Sequence, residues 1–400
     1  MNIAFVSLSD IRSVEDRTLY SDVLKVFTES GHEVTVFKPS RDERNNSCCP
    51  NSILNIIKVP TSKWAFSKNK IKRGLGQILL EYQFLASAIS HRKLHFDLVV
   101  CATPTIFFSS IVKYLKTRNS AYVYLLLKDM WPYDLIYDGI LAKTGWKGIA
   151  YSFLEHKAAT LYKLSDFIGC MSAANVKFLL ECDPSIDKQK IEITPNSAIA
   201  RALKITKESK EELLNAYNIP NDKILCVYGG TLGTAQDVPF IVECMKEAIP
   251  YDEFHFVIVG RGEQEEYIKR YCTENKNATY IPWLEKRQYE KIVASCDIGL
   301  AFLNYRGNYP NYPSRILTYM QASIPIILAT DVYTDVGHDA VQNEFGLWST
   351  SDNTDSVIKN LLVLKDKALR ERYGNNGFKC LSTIFSAERT VKNILSHISF

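Results

Sequence analysis

Apolar residues fall along this chain in short unbroken runs, separated by longer stretches in which they recur at helical spacing. Residues 3–8 read as a strand, and the stretch carrying Leu19, Val23, Leu24 and Phe27 as an amphipathic helix. Gly31 suits the left-handed position that ends such a helix, and 34–37 read as the next strand. Strands that are apolar throughout, joined by helices, are the mark of a parallel sheet covered on both faces. The alternation continues with strands at 96–102, 121–127, 167–171 and 191–194 and helices at 106–116, 146–162 and 173–180, the last capped by Ser172. Residues 41–50 form a polar loop, His32 falls in a solvated turn, and His156 lies among the helical core neighbours Phe153 and Ala159.

Residues 196–221 read as a crossing with one charged helix, after which the alternation restarts. Strands are predicted at 224–227, 254–259, 279–282, 298–303, 326–329 and 346–348, and helices from about Val238, at 285–295, 336–343 and 352–372, and at 386–398. Two successive α/β units of about six strands each imply two doubly wound parallel sheets facing each other across a cleft. The predicted divisions are 1–195, 196–378 and a closing helical segment, 379–400, that returns to the first domain.

The second unit places its chemistry at strand ends, where open α/β sheets bind ligands. Tyr228-Gly229-Gly230-Thr231-Leu232-Gly233 follows one strand, Gly260-Arg261-Gly262-Glu263 the next, and Trp283-Leu284 the third. Gly307 to Pro313 then leads into a helix expected to start at Pro313 and Ser314, with Arg315 in its first turn and Ile316, Leu317 and Met320 on one face. An arginine at the free N–H groups of a helix start is a seat for a phosphate, although the same pattern serves as an ordinary loop–helix–strand unit. The convergence of these turns on one sheet edge favours a nucleotide-diphosphate site. In the first unit, Lys128-Asp129-Met130-Trp131-Pro132 occupies the corresponding place after a strand, with a helix cap or a local ion pair as the plain alternative for Asp129.

Charge and composition narrow the picture. The net charge of +4 is too mild for general nucleic-acid binding. Residues 1–200 carry 25 Lys and Arg against 19 Asp and Glu, a balance of +6, while 201–400 carry 23 against 25, a balance of −2. The excess concentrates in 58–93, where Lys58, Lys63, Lys68, Lys70, Lys72, Arg73, Arg92 and Lys93 face the single acid Glu81 and aromatic and aliphatic residues interleave. That segment reads either as a surface for a membrane interface or lipid phosphate, or as a core helix with a solvated basic face. No apolar run is long enough to span a membrane, and the opening residues enter a strand without a signal-type segment. The ten cysteines show no metal-binding spacing and read as reduced, buried, cytosolic thiols, Cys48-Cys49 alone falling in a polar loop.

With these motifs in order, the chain resembles the GT-B glycosyltransferases, specifically the large retaining family 4, and within it the branch that builds bacterial capsule and O-antigen repeats. The resemblance rests on Ser30-Gly31-His32-Glu33-Val34, on Lys128 to Pro132, on Thr194-Pro195-Asn196-Ser197, on Tyr228 to Gln236, on Gly260 to Gly262, on Pro313 to Met320 and on Phe385 to Arg389. It implies a UDP-sugar donor, held mainly by the second domain and without a cofactor or metal, in keeping with the lack of any Asp-x-Asp. Arg315 and the Ser314 amide would neutralise the diphosphate leaving group, and Gly229, Gly230, Thr231 and Gly233 would admit the phosphates. Trp283 and Leu284 would lie at the base, with Arg261, Pro313 and Thr318 completing the donor set. Asp129, with Lys128 and Trp131, and Ser9, Asp10 and Arg12 from the opening loop, would stand on the acceptor side, Asp129 as the candidate for taking the acceptor's proton.

The resemblance further implies transfer to a polyprenyl-diphosphate-linked saccharide, an N-acetylated hexosamine type of sugar as the moved group, and action in the cytoplasm at the inner membrane face. The chain departs from the pattern at Thr318 and Pro310, where paired glutamates are usual, at Thr234, where an arginine is usual, and in Ser9-Asp10-Ile11-Arg12, which lacks a glycine pair. Either Arg261 and Arg12 compensate, or the donor site is impaired and the chain is a silent binding partner of another transferase. A third reading, an epimerase on the same fold, lacks a clear carboxylate and histidine pair near the cleft.

Overall fold

A computed structural model describes residues 1–40, 53–67, 69–103, 106–137 and 139–398. The polar loop expected over 41–50, with Cys48 and Cys49, lies outside the described residues. The chain divides into two compact units, Met1–Asn196 with Ala387–Phe400, and Ser197–Ser386. The expected boundary at 378 falls inside the helix Lys367–Thr383, and the chain returns to the first unit only at Ala387.

Among the described residues the first unit holds seven strands: β1 Asn2–Val6, β2 Glu33–Ser40, β3 Leu54–Pro60, β4 Leu98–Ala102, β5 Tyr122–Leu127, β6 Phe167–Cys170 and β7 Ile191–Ile193. They run parallel in the order β3-β2-β1-β4-β5-β6-β7. β1, β4 and β5 are buried nearly throughout, as the apolar runs required, and Phe5, Phe27, Phe37, Phe84, Phe108 and Tyr124 fill the layers between sheet and helices. β3 was not expected. Among the described residues it pairs with β2 only, its pattern mixes Asn55 and Lys58 with Ile56, Ile57 and Val59, and Pro60 closes it, as an edge position allows. The first crossover, through Ser21–Glu29, moves from β1 to β2, opposite in direction to the crossovers into β4, β5 and β6. Right-handedness therefore puts that helix on one face, where Ala387–Ser396 packs against it, and Lys70–Ser90, Ser109–Asn119 and Gly145–Leu164 on the other.

The second unit holds β8 Ile224–Thr231, β9 Phe254–Arg261, β10 Ala278–Ile281, β11 Ile298–Phe302, β12 Ile326–Thr330 and β13 Gly346–Thr350, all parallel in the order β10-β9-β8-β11-β12-β13. Phe256, Phe302, Tyr228 and Ile258 sit at its centre. Two helix expectations are corrected. The single helix over 352–372 is two, Thr354–Val363 and Lys367–Thr383, because Asp366 accepts from the amides of Ala368 and Leu369 and starts a new helix. The helix expected from Pro313 and Ser314 is the short Ile316–Gln321, whose start has no side-chain cap among the described residues; the Ser314 carbonyl accepts from Leu317 N at 3.2 Å.

Candidate functional site

The C-terminal ends of β8 and β9 in the second unit are bare of side chains where they meet. A Cβ on Gly260 would lie 2.0 Å from the Gly230 carbonyl oxygen, and one on Gly262 2.0 Å from that of Leu232. Only glycine lets these two turns close on each other. Leu232 N donates to Arg261 O at 3.0 Å and Gln264 N to Leu232 O at 3.0 Å, which fixes the loop. A Cβ on Gly229 would lie 2.1 Å from the Tyr289 hydroxyl, and the Gly229 amide donates to Tyr319 Oη at 3.2 Å. Gly230 takes φ +141°, open to glycine alone, and its missing Cβ would sit 3.2 Å from the Arg315 guanidinium carbon.

Arg315 is thereby drawn onto the bare end of β8. Its guanidinium stacks 4.6 Å from the centroid of the Tyr228 ring. The side chain is half-buried, and Nη1 is sealed from solvent with no hydrogen-bond partner among the described residues. Burial works against its charge, but the phenolic oxygens of Tyr228 and Tyr319 outweigh that and hold it above its ordinary value. Burial in turn pushes the Tyr319 phenol up to about 12, against the pull of Arg315. A permanently cationic fork with one nitrogen unanswered, lying over a stretch with no side chains, can take an anionic acceptor.

The other residues expected on the donor side lie in the same unit. Arg261 is exposed and stacks 5.0 Å from the centroid of the Trp283 ring, itself exposed, with Leu284 partly buried beside it. Thr231 and Ser314 are exposed, Pro313 is buried, and Gly233 opens onto Gln236 and Glu263. Thr234 does not stand in for an arginine. Its hydroxyl donates to Glu263 Oε1 at 2.7 Å and its carbonyl accepts from Asn304 Nδ2 at 3.0 Å, so it staples the loop. Thr318 is buried, and its Oγ1 accepts from Lys286 Nζ at 2.8 Å, with Glu290 3.9 Å from the same ammonium. Lys286, Tyr289 and Tyr319 were not anticipated as site residues. Only the spacing of Lys286 and Glu290, four apart on one helix, could have hinted at the first.

In the first unit the residues expected on the acceptor side form two groups. Asp10 accepts from Lys38 Nζ at 2.6 Å and from Arg12 Nη2 at 2.9 Å. The Lys38 bond first, and Arg12 after burial opposes it, hold its carboxyl below the usual range. Ser9 donates its amide to Ser7 Oγ at 3.1 Å. The second group closes β5. Lys128 Nζ donates to the carbonyls of Thr194 at 2.6 Å and Pro195 at 2.9 Å, and burial draws its pKa down to about 7. It ties β5 to the segment that leaves the unit. Asp129 is half-buried, and its charge adds to burial in raising the Tyr20 phenol. Trp131 packs 5.9 Å from Phe107, centroid to centroid, and precedes Pro132 through a cis peptide. His156, expected in a core face, is exposed.

Among the described residues no group of three or more His, Cys, Asp and Glu could hold a metal ion, and no helix is long and apolar enough to cross a membrane. None of the curated proteins matches the sequence. Solved structures similar over the full length include the sucrose-phosphate synthase of Thermosynechococcus elongatus, with 12% identity, TM-score 0.74 and 99% of this chain and 98% of that one covered. The Anabaena protein HepE in complex with UDP-glucose has 12% identity and TM-score 0.68, with 100% of both chains covered. WaaG, a glycosyltransferase involved in lipopolysaccharide biosynthesis, has 14% identity and TM-score 0.63, with 98% and 99% covered. The fold is thus that of the GT-B glycosyltransferases, and residues 209–380, which contain the Arg315 site, match the family described as Glycosyl transferases group 1.

Proposed function

We propose that the chain is a retaining, metal-independent glycosyltransferase that moves a sugar, of N-acetylated hexosamine type, from a UDP-sugar to a lipid-linked saccharide during assembly of a bacterial surface polysaccharide such as capsule or O-antigen. The observation that carries this reading is the unanswered Nη1 of Arg315 over the bare Gly229-Gly230 turn. In the transfer, the bond from the anomeric carbon to the diphosphate oxygen breaks and one to an acceptor hydroxyl forms. The acceptor's proton goes to a base, for which Asp129 is our candidate, and UDP leaves with the extra negative charge. A fixed guanidinium at that diphosphate stabilises the charge as it develops. Arg261 and Trp283 form the flat, exposed platform at the neighbouring strand end where the uracil stacks. Complexes of HepE with UDP and UDP-glucose, and the lipopolysaccharide role of WaaG, support the donor and acceptor classes.

The test is release of UDP from a panel of UDP-sugars in the presence of a lipid-linked acceptor fraction. Arg315→Ala is expected to lower turnover about 10²- to 10³-fold; unchanged turnover would remove Arg315 from the site. One observation favours a second reading, a silent partner of another transferase. Thr318 is occupied by Lys286 and Thr234 by Glu263, so neither presents a group that grips a nucleotide. Nucleotide binding without turnover on any acceptor would select that reading.

A further inference from the structure

The first unit carries a second feature, independent of the donor chemistry. Helices Lys70–Ser90, Ser109–Asn119 and Gly145–Leu164 lie side by side on one face of its sheet and run in one direction, since each returns between parallel strands. Their relative heights are fixed by one buried cluster. Glu81 accepts from Ser109 Oγ at 2.9 Å, from Ser110 Oγ at 2.6 Å and from Lys157 Nζ at 2.7 Å. The middle of the first helix, the start of the second and the middle of the third are therefore level. Residues 70–80 and 145–156 project together beyond the start of the middle helix, at the end of the sheet where the strands terminate.

These projecting turns are apolar where they meet solvent. Trp146 and Ile149 are 76% and 77% exposed, and Phe153 completes their stripe at spacings of three and four. Leu75, Leu79 and the 64%-exposed Tyr82 form a matching stripe on the Lys70 helix. Exposed Trp64 joins it, because the turn Lys63–Phe66 lies flush on Gly76, where a Cβ would come 2.1 Å from Ala65 N. The inner faces of the same helices are satisfied without these residues, since Leu80, Phe84, Ala88, Ala158 and Leu161 are fully buried. Bulky side chains left bare on the two helices that flank the middle one mark a surface that is covered by something else.

Charge identifies the cover. Residues 61–80 and 139–154 contain Lys63, Lys68, Lys70, Lys72, Arg73, Lys143 and Lys147 and no Asp or Glu. Lys63, Lys72, Arg73 and Lys143 are exposed and form no ion pair among the described residues. Each of the two helices carries one acid: Glu81 is neutralised by Lys157 inside the buried cluster, and Glu155 accepts from Tyr151 Oη at 3.0 Å. We infer that this face docks on an anionic lipid bilayer, with Trp64, Leu75, Leu79, Tyr82, Trp146 and Ile149 entering the headgroup layer and the cations meeting lipid phosphates. A second copy of the chain fits poorly, because a two-fold contact would set this cationic face against itself.

Vesicle flotation of the full chain tests this. Binding is expected to vesicles of phosphatidylcholine with one quarter phosphatidylglycerol and not to phosphatidylcholine alone, and to weaken in 0.5 M salt. Trp146→Ser with Ile149→Ser is expected to reduce binding more than tenfold, and Lys72→Ala with Arg73→Ala about 25-fold, from about fivefold per cation. All four positions are exposed, so both variants are expected to melt as the parent does, which excludes misfolding as the cause. Absence of binding to the anionic vesicles, or equal binding by both variants, would overturn the inference. So would a dimer in sedimentation velocity that Trp146→Ser abolishes, which would assign the face to a second copy.

Discussion

Replacing Arg315 by Met separates a ligand-binding role from a structural one. An arginine kept for stability would have all its N–H groups answered; here Nη1 is sealed and unanswered. An unanswered buried donor costs about 1–3 kcal/mol. The guanidinium stacked on Tyr228 returns about 0.5–2 kcal/mol. The two nearly cancel, and methionine fills the same space beside Tyr228 and Gly230 without a polar group. Arg315→Met is therefore expected to leave the unliganded protein within about 1 kcal/mol of the parent, a change of less than about 4 °C in Tm for a unit of this size. The parent in UDP at a hundredfold excess over its Kd gains about 2.7 kcal/mol; the variant is expected to gain almost nothing. Differential scanning calorimetry of both proteins with and without UDP reads the two numbers together. A loss above about 3 kcal/mol in the unliganded variant would make Arg315 a structural residue, and an undiminished response to UDP would place the diphosphate elsewhere.

Gly229→Ala forces a methyl to within 2.1 Å of the Tyr289 hydroxyl. It is expected to destabilise by about 1–3 kcal/mol, and adding Tyr289→Leu is expected to recover most of that in urea denaturation. Burial draws His255, whose Nε2 lies 2.8 Å from Thr279 Oγ1, down to about 4. An unfolded histidine titrates near 6.5, so between these values only the unfolded chain takes up the proton. Stability present above pH 6.5 is lost as pH falls toward 4, by up to about 3 kcal/mol from this group, and His255→Leu is expected to flatten the urea midpoint across that window. At Glu81, burial pushes the carboxyl up, but Lys157, Ser110 and Ser109 outweigh it and hold it below the usual range. Glu81→Gln leaves Lys157 without its counter-charge and is expected to cost about 3 kcal/mol, measured by chemical denaturation.

The sequence made the parallel sheets legible because their central strands are buried on both faces and carry few polar residues. β3 escaped because an edge strand can, and Asn55, Lys58 and Pro60 blur its period. Local chemistry misled at Ser314, where a serine suited to capping leaves the helix start uncapped, while Asp237, in the left-handed region at φ +51°, caps Val238–Glu247 without having been expected to. The site was legible as residue types in order, glycines after one strand and an arginine after a proline and serine. What surrounds it was not. Lys286 meets Thr318 across 32 residues and the Gly229 amide meets Tyr319 across 90, distances over which no local pattern carries. Lys128 illustrates the same limit. A polar residue at a strand end reads as ligand-facing, yet its ammonium ties down carbonyls 66 and 67 residues away.

The central claim, that the Arg315 turn is a nucleotide-diphosphate site, is tested most directly by the melting temperature of the parent protein against UDP, GDP, ADP and a panel of UDP-sugars. The account predicts a rise with UDP of several degrees at a hundredfold excess over Kd, and a further rise with one UDP-sugar. No rise with any nucleotide would contradict it and would mean that the bare turn and its unanswered guanidinium serve something other than a nucleotide sugar.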